Sequence, residues 1–408
     1  MTSANAMEAN SNSLAAAPWS KRLVALDQFR GYTVAGMFLV NFMGGYNVCP
    51  YLWRHSNNYC SYADTIMPQF FFAAGFALRL SFLKRQHQAG DWAAWARMIR
   101  RVLNLALVAI LWYGYEELGA IRERLPTQGV LPVLYWLFKS PLFQTLLHIA
   151  VTSLWILPVV WTNWPIRVGY AVFSGLLHLA LSYWFYFQWV HTDPGSIDGG
   201  PLGFLTWTIP TIAGTVACDY WFSTTDHRKL GPYLGWGIVL MAFGWVISCG
   251  TTIYDVPESQ QALHPEQKYG DNPVIPSGEQ FAAWNHRPAE PPFVPPPDLV
   301  HRKENYWMMS QQHGTLSYLI FSAGLSLVVF AFFVWLCQVQ GVQIGVFRTL
   351  GVNALAGYIL HAFSGQIVGK FLRPDSSSFE VYTGFAVYFL LVYLVLRLME
   401  WRRIFIRM

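Results

Sequence analysis

The chain has 408 residues, 54% hydrophobic, 17% aromatic and only 12% charged, against about 25% charged in an average soluble protein. Several apolar runs reach the roughly 20 residues that cross a bilayer core, which excludes a soluble globular domain. The net charge of +5 sits largely on Lys and Arg at the ends of those runs and leaves no basic patch for nucleic acid.

Residues 1–20 are rich in Ala, Asn and Ser and lack the apolar core of a signal peptide, so they are expected to form a disordered cytoplasmic tail. About ten spanning helices are predicted after it, at 29–48, 63–83, 102–118, 142–161, 166–189, 203–222, 233–250, 312–337, 347–368 and 379–399. The predicted fold class is all-α, a polytopic integral membrane helical bundle. Its core falls in two parts, 21–250 and 306–408, separated by an external insert at 251–305. With the N-terminus inside, 17 of the 27 Lys and Arg lie on the inner side, which places both termini in the cytoplasm. Residues 84–101 are basic and aromatic on that side and suit the membrane interface.

The insert runs from TTIYDVPESQ to PAEPPFVPPPDLVHRKEN. Its irregular backbone would be left unsatisfied inside a bilayer, so it lies outside, either as a spacer or as an ordered flap over an outward-facing cavity. The five cysteines show neither a CxxC pair nor a zinc spacing. Cys49 and Cys60 flank His55 on the outer side, where a disulfide and two free thiols are both open.

The chemistry is expected around residues 27–75, which read as an apolar helix, a short polar loop and an apolar helix returning the other way. Asp27 and Arg30 share one face of the first turn. They suit an N-cap with a headgroup anchor, or an Arg that grips an anionic substrate while Asp27 orients it. His55, in WRHSNNYC, is either an ordinary surface histidine or a proton acceptor near neutral pH. Asp64, in SYADTIMP, reads as a helix N-cap that is also placed to orient His55. Further on, Gln144 and His148 are four apart, as are Asn353, Gly357 and His361. Polar groups within spans face the bundle interior, to bond between helices or to line a cavity. Gln311, Gln312 and His313 introduce the eighth span at its outer mouth.

ALDQFRG, MFLVNFMGG, a loop His and YADTIMPQFFFAAGFAL, followed by FQTLLHIA, DGGPLGFLTWTIPTIAGT and LGVNALAGYILH, together resemble the heparan-α-glucosaminide N-acetyltransferase family and its bacterial relatives. The resemblance covers most of the chain outside 251–305. It implies transfer of acetyl from acetyl-CoA to an amino sugar on the far side of the membrane, with the loop histidine, here His55, as the catalytic residue. It puts Asp27, Arg30, Asn41, Asp64 and Asn353 on family motif positions. His148 stands where relatives often carry Arg, and the insert has no counterpart in them, so the acceptor is left as a sugar amine or hydroxyl.

The resulting expectation casts His55 as general base and Asp64 as its orienter. Asp27, Arg30, Asn41, Gln144, His148, Asn353 and His361 are assigned to acetyl-CoA. The thioester is already activated, so no metal or redox cofactor is expected. Expected partners are the lipid bilayer, acetyl-CoA and a carbohydrate acceptor, with homodimer formation left open. The expected location is a bacterial inner membrane. The alternative is a secondary transporter of a sugar or acylated carrier, which fits the helix count but lacks the internal repeat of many transporters.

Overall fold

The computed structural model of the chain describes residues 23–406 apart from 225, 227 and 262–271. The expected tail at 1–20 lies outside the described residues. The fold is all-helical, and its one β feature among the described residues is an isolated antiparallel bridge between Asp255 and Arg302. Among the described residues, five helical segments are long and apolar enough to cross a membrane.

Helix α1 (Val24–Met43) starts at Leu23, not at Asp27. Ala25 and Leu26 are buried and extend its apolar face backwards, so Asp27 falls inside the first turn, where a carboxylate suits the positive end of the helix dipole. Helix α2 (Tyr62–Glu116) is a single 55-residue run that carries both the second and the third predicted spans. It breaks at Gly90, whose φ of 82° lies in the left-handed region open to glycine. Ala94 and Met98 after the break pack with Leu78 and Phe82 before it, so the chain doubles back there.

Two short helices, α3 (Leu118–Gln128) and α4 (Val130–Lys139), lead into α5 (Thr145–Val160). The long helices α6 (Trp164–His191), α7 (Phe204–Ser223) and α8 (Gly231–Tyr254) follow. The insert contributes α9 (Gly278–Ala283), and α10 (Leu316–Val339) re-enters the bundle. The predicted ninth span is divided at Asn353 into α11 (Gly345–Val352) and α12 (Ala354–Gly369), and α13 (Ser378–Trp401) closes the chain.

Backbones touch where glycines face each other. A Cβ added at Gly75 on α2 would overlap the Thr211 carbonyl on α7, and one at Gly214 would overlap the Phe72 carbonyl in return. Gly31 on α1 and Gly351 on α11 are related in the same way. Such close approach lets helices gain dispersion and weak backbone contacts without relying on water to drive them together. Around these crossings Phe29 packs edge-on against Phe72 at 5.5 Å and Phe330 at 5.9 Å, joining α1, α2 and α10. At the end of the bundle away from His55, Asp219 on α7 accepts from Arg79 at 2.7 Å and from Arg167, while Arg79 also donates to the Val160 carbonyl at 2.6 Å.

The described part of the insert is docked on the bundle. Arg302, 3% exposed, is held at 2.5 Å by both Asp255 and Glu290. The Phe293 amide donates to the Cys60 carbonyl at 2.9 Å, and its ring meets Phe321 edge-on at 5.9 Å. Cys49 and Cys60 are buried free thiols.

The helix crossing gives a direct expectation. Gly75→Ala should lower the thermal stability of the purified protein by roughly 1–3 kcal/mol, the ordinary cost of overpacking. Gly119→Ala, on α3 with nothing within 4 Å of the new methyl, should be neutral or stabilising. Equal melting temperatures in detergent for Gly75→Ala and the parent chain would contradict the close crossing.

Candidate functional site

The loop after α1 is shaped before it carries any chemistry. Arg54 turns back and donates to the Tyr46 and Asn47 carbonyls at 3.0 and 2.8 Å, which fixes the approach to His55. Helix α2 then opens with a capping box. Ser61 is the N-cap, its hydroxyl accepting from the Asp64 amide at 3.3 Å, and Asp64 Oδ2 accepts from the Ser61 amide at 2.9 Å. Asp64 is therefore not the N-cap expected from sequence. It is the acidic residue three positions on, which returns the bond.

The second oxygen of that carboxylate accepts from His55 Nδ1 at 2.9 Å. The Ser56 amide adds weaker contacts at 3.3 and 3.4 Å. Asp64 is fully buried while the His55 side chain is 49% exposed, so the pair presents an anchored imidazole to solvent. With Nδ1 donating to the carboxylate, Nε2 carries the lone pair.

Two further groups converge on His55 from distant parts of the chain. Asp198 is buried in the loop between α6 and α7, with Oδ1 accepting from Gln311 Nε2 at 2.7 Å and its backbone carbonyl accepting from Trp207 at 2.8 Å. Tyr318 on α10 closes the ring, donating to the Asp64 carbonyl at 2.6 Å and lying 3.4 Å from Gln311 Oε1. Burial pulls the His55 pKa down, but the hydrogen bond and charge of Asp64, with help from Asp198 and Gln311, outweigh it and leave the imidazole above its usual value. Burial pushes the Asp198 carboxyl up to about 6, against the opposing effects of Gln311 and His55.

These groups open onto a cavity of about 390 Å³, within the common range for small-molecule sites. His55, Asp64, Asp198, Gln311, Asn41 and Gln144 supply its polar lining, and Met37, Ile66 and Phe70 give it an apolar wall. Tyr358 reaches it from α12 and shares a 2.9 Å hydrogen bond with Tyr113 on α2. Among the described residues, none of those lining the cavity comes from 251–305.

Of the residues expected from sequence, His55, Asp64, Asn41 and Gln144 line this cavity, and His361 adjoins it. His361 Nε2 accepts from Asn41 Nδ2 at 3.2 Å while Nδ1 donates to the Tyr358 carbonyl, and the ring stacks on Phe38. His148 is elsewhere. It is fully buried between Phe143 and Trp207, beneath Gly203. Gln144 is the extended N-cap of α5, so the spacing of four does not place both side chains on one face.

Asp27, Arg30 and Asn353 also lie outside the cavity. Arg30 belongs with Arg97 and Arg101, close enough for their charges to act on one another. Asn353 holds the C-terminal segment, donating to the Ile404 carbonyl at 3.1 Å and accepting from the Ile406 amide at 3.2 Å. Beside it a second hollow is lined by Arg348, Arg397 and Arg403, with Glu400 bonded to Arg397 at 2.7 Å and Arg348 at 3.1 Å.

Sequence reasoning did not assign Asp198, Tyr318 or Tyr358 to the site, and it placed Gln311 only at a helix mouth. The DGG turn was the available signal for Asp198, but nothing local relates it to His55. Comparison of the chain with protein-family models and with curated proteins finds no match.

Asp198 offers a test by pH. A carboxyl whose folded pKa is raised destabilises the fold only once ionisation is forced, so the cost is absent below its ordinary 3.8 and complete above about 6. Asp198→Asn keeps an acceptor for Gln311 and removes that cost. Its melting temperature relative to the parent chain should rise between about pH 4 and about pH 7, whereas a constant difference would show that Asp198 does not titrate in this range.

Proposed function

We propose that the chain is a membrane-embedded acyltransferase that passes acetyl from acetyl-CoA to an amine or hydroxyl of a sugar. The observation that carries this reading is the His55–Asp64 pair at the floor of a cavity lined by amide and carboxyl groups. The motif resemblance points the same way.

In this mechanism His55 Nε2 takes the proton from the acceptor N–H or O–H as that atom attacks the thioester carbonyl carbon. Asp64 holds the tautomer and stabilises the imidazolium that forms. The carbon–sulfur bond then breaks, and the imidazolium returns the proton to the departing thiolate. Asn41 and Gln144 each use one amide N–H, toward His361 and toward the Pro141 carbonyl. Their second N–H groups suit the oxyanion or a sugar hydroxyl. The CoA phosphates are assigned to the basic groups at the opposite end, around Arg30 or around Arg348, Arg397 and Arg403, because guanidinium forks suit phosphate.

Ten passes through a bilayer accord with the helix order: α1, the two halves of α2, α5, α6, α7, α8, α10, the broken pair α11–α12, and α13. The basic bias in the sequence then sets both termini in the cytoplasm and the His55 cavity outside.

The test is release of CoA thiol by purified protein given acetyl-CoA and glucosamine. His55→Ala should cost about 10²–10⁴ in rate, the usual contribution of a general base, and some stability, because the buried Asp64 carboxylate loses a donor. The neutral imidazole is the working form and its pKa is raised, so activity should climb with pH through a midpoint above 6.5. In Asp64→Asn that midpoint should fall, and stability should fall too because the carboxylate also caps α2. Sugar uptake into vesicles without thiol release would favour the transporter, and full activity in His55→Ala would end the proposed mechanism.

A further inference from the structure

We propose that His191, Glu304 and His313 form a divalent transition-metal site, fitted to zinc, that fastens the end of the external insert to the helix bundle. The three come from separate segments: the last residue of α6, the end of the insert, and the turn that leads into α10. One ligand atom from each lies within 4.8 Å of the others. The His191 and Glu304 side chains are almost wholly buried, as is His313.

The outer nitrogens are already committed. His191 Nδ1 donates to the Phe187 carbonyl at 2.6 Å, and a carbonyl can only accept, so His191 Nε2 bears a lone pair. His313 Nδ1 is bonded to Ser310 Oγ at 2.7 Å. Such second partners fix the ring and tautomer of a metal-binding histidine. The two Nε2 atoms face each other directly.

Glu304 Oε2 lies 3.6 Å from His191 Nε2, beyond an ordinary hydrogen bond, and brings a second lone-pair acceptor toward the first. A cation held by the three groups would let these lone pairs approach one another. Bonds of about 2.0–2.2 Å to zinc put tetrahedral ligands roughly 3.3–3.6 Å apart, which matches this separation. Two imidazoles and one carboxylate suit zinc rather than magnesium or calcium, which prefer oxygen. Phe187 stacks on His313 at 4.7 Å and packs on His191 at the same distance, so the site has an apolar wall.

The placement has a consequence for the cavity. His313 follows Gln311, which holds Asp198, and the Gln312 carbonyl accepts from the Gly199 amide at 2.9 Å. A metal on His313 would therefore fix the turn that positions Gln311. No short-range spacing of Cys or His announced the site, because its ligands meet only in the folded chain.

The experiment uses the full chain purified in detergent through a tag that binds no metal, with zinc content measured by plasma mass spectrometry. The expected result is about one zinc per chain. EDTA should remove it and lower the melting temperature, and zinc but not magnesium should restore both. His191→Ala and Glu304→Gln should each lower zinc content at least tenfold, while His301→Ala, at an exposed histidine paired with Asp298, should keep it. If the variants do not fold, the parent protein still decides. A chain that purifies without zinc, takes up none when zinc is added, and melts at one temperature with or without it would overturn the proposal. So would equal zinc loss in His301→Ala. The measurement reads metal and stability, so failure of the acyltransferase reading would leave it standing.

Discussion

A single buried carboxylate, that of Asp64, joins the start of α2 to the loop that carries His55. It accepts from the Ser61 amide, the Ser56 amide and the imidazole, and its own backbone carbonyl accepts from Tyr318 on α10. A buried carboxylate without donors would cost several kcal/mol. Satisfied in this way, it makes helix start, loop path and imidazole orientation one event. The loop cannot shift without uncapping the helix, and the helix cannot shift without releasing the histidine.

The rest of the bundle brings partners to that point. The glycine crossings between α2 and α7 let the α6–α7 loop come down on the same region, and Trp207 then pins the Asp198 carbonyl. Phe71 stacks on Trp207 at 4.5 Å, joining the two helices just beneath the site. The insert docks from the other side through Phe293 and Cys60 yet leaves the cavity lining to other segments. Large apolar side chains such as Leu111, Trp184 and Phe332 point outward, while Arg79 and Arg167 both pair with Asp219 at the far end. That distribution, apolar outside and paired charge inside, is what a bilayer requires of a bundle.

Much of the helical order was legible, because apolar runs of membrane-crossing length are a strong local signal. The signal weakens where one residue changes the path. Gly90 turns two predicted spans into one doubled run, and Asn353 splits another. Of the residues that line the cavity, His55, Asp64 and Gln144 stood out in the local pattern, and Asn41 through the family resemblance alone. The S-x-x-D order at Ser61 contained the capping box that makes Asp64 the reciprocating residue. His148 was misplaced because its spacing from Gln144 assumed a helix already running at Gln144, whereas α5 begins at Thr145. Asp198 and Tyr318 were out of reach, since they meet His55 and Asp64 only through the packing of α6, α7 and α10.

The central claim is that His55 serves transfer of acetyl from a donor on one side of the membrane to a sugar on the other. Sealed vesicles of one orientation, with labelled acetyl-CoA on the cytoplasmic side and glucosamine enclosed on the opposite side, test it most directly. The account predicts labelled acetyl-glucosamine inside the vesicle, free CoA outside, and neither from His55→Ala. Product formed only on the side of the donor, or equal product from His55→Ala, would contradict it.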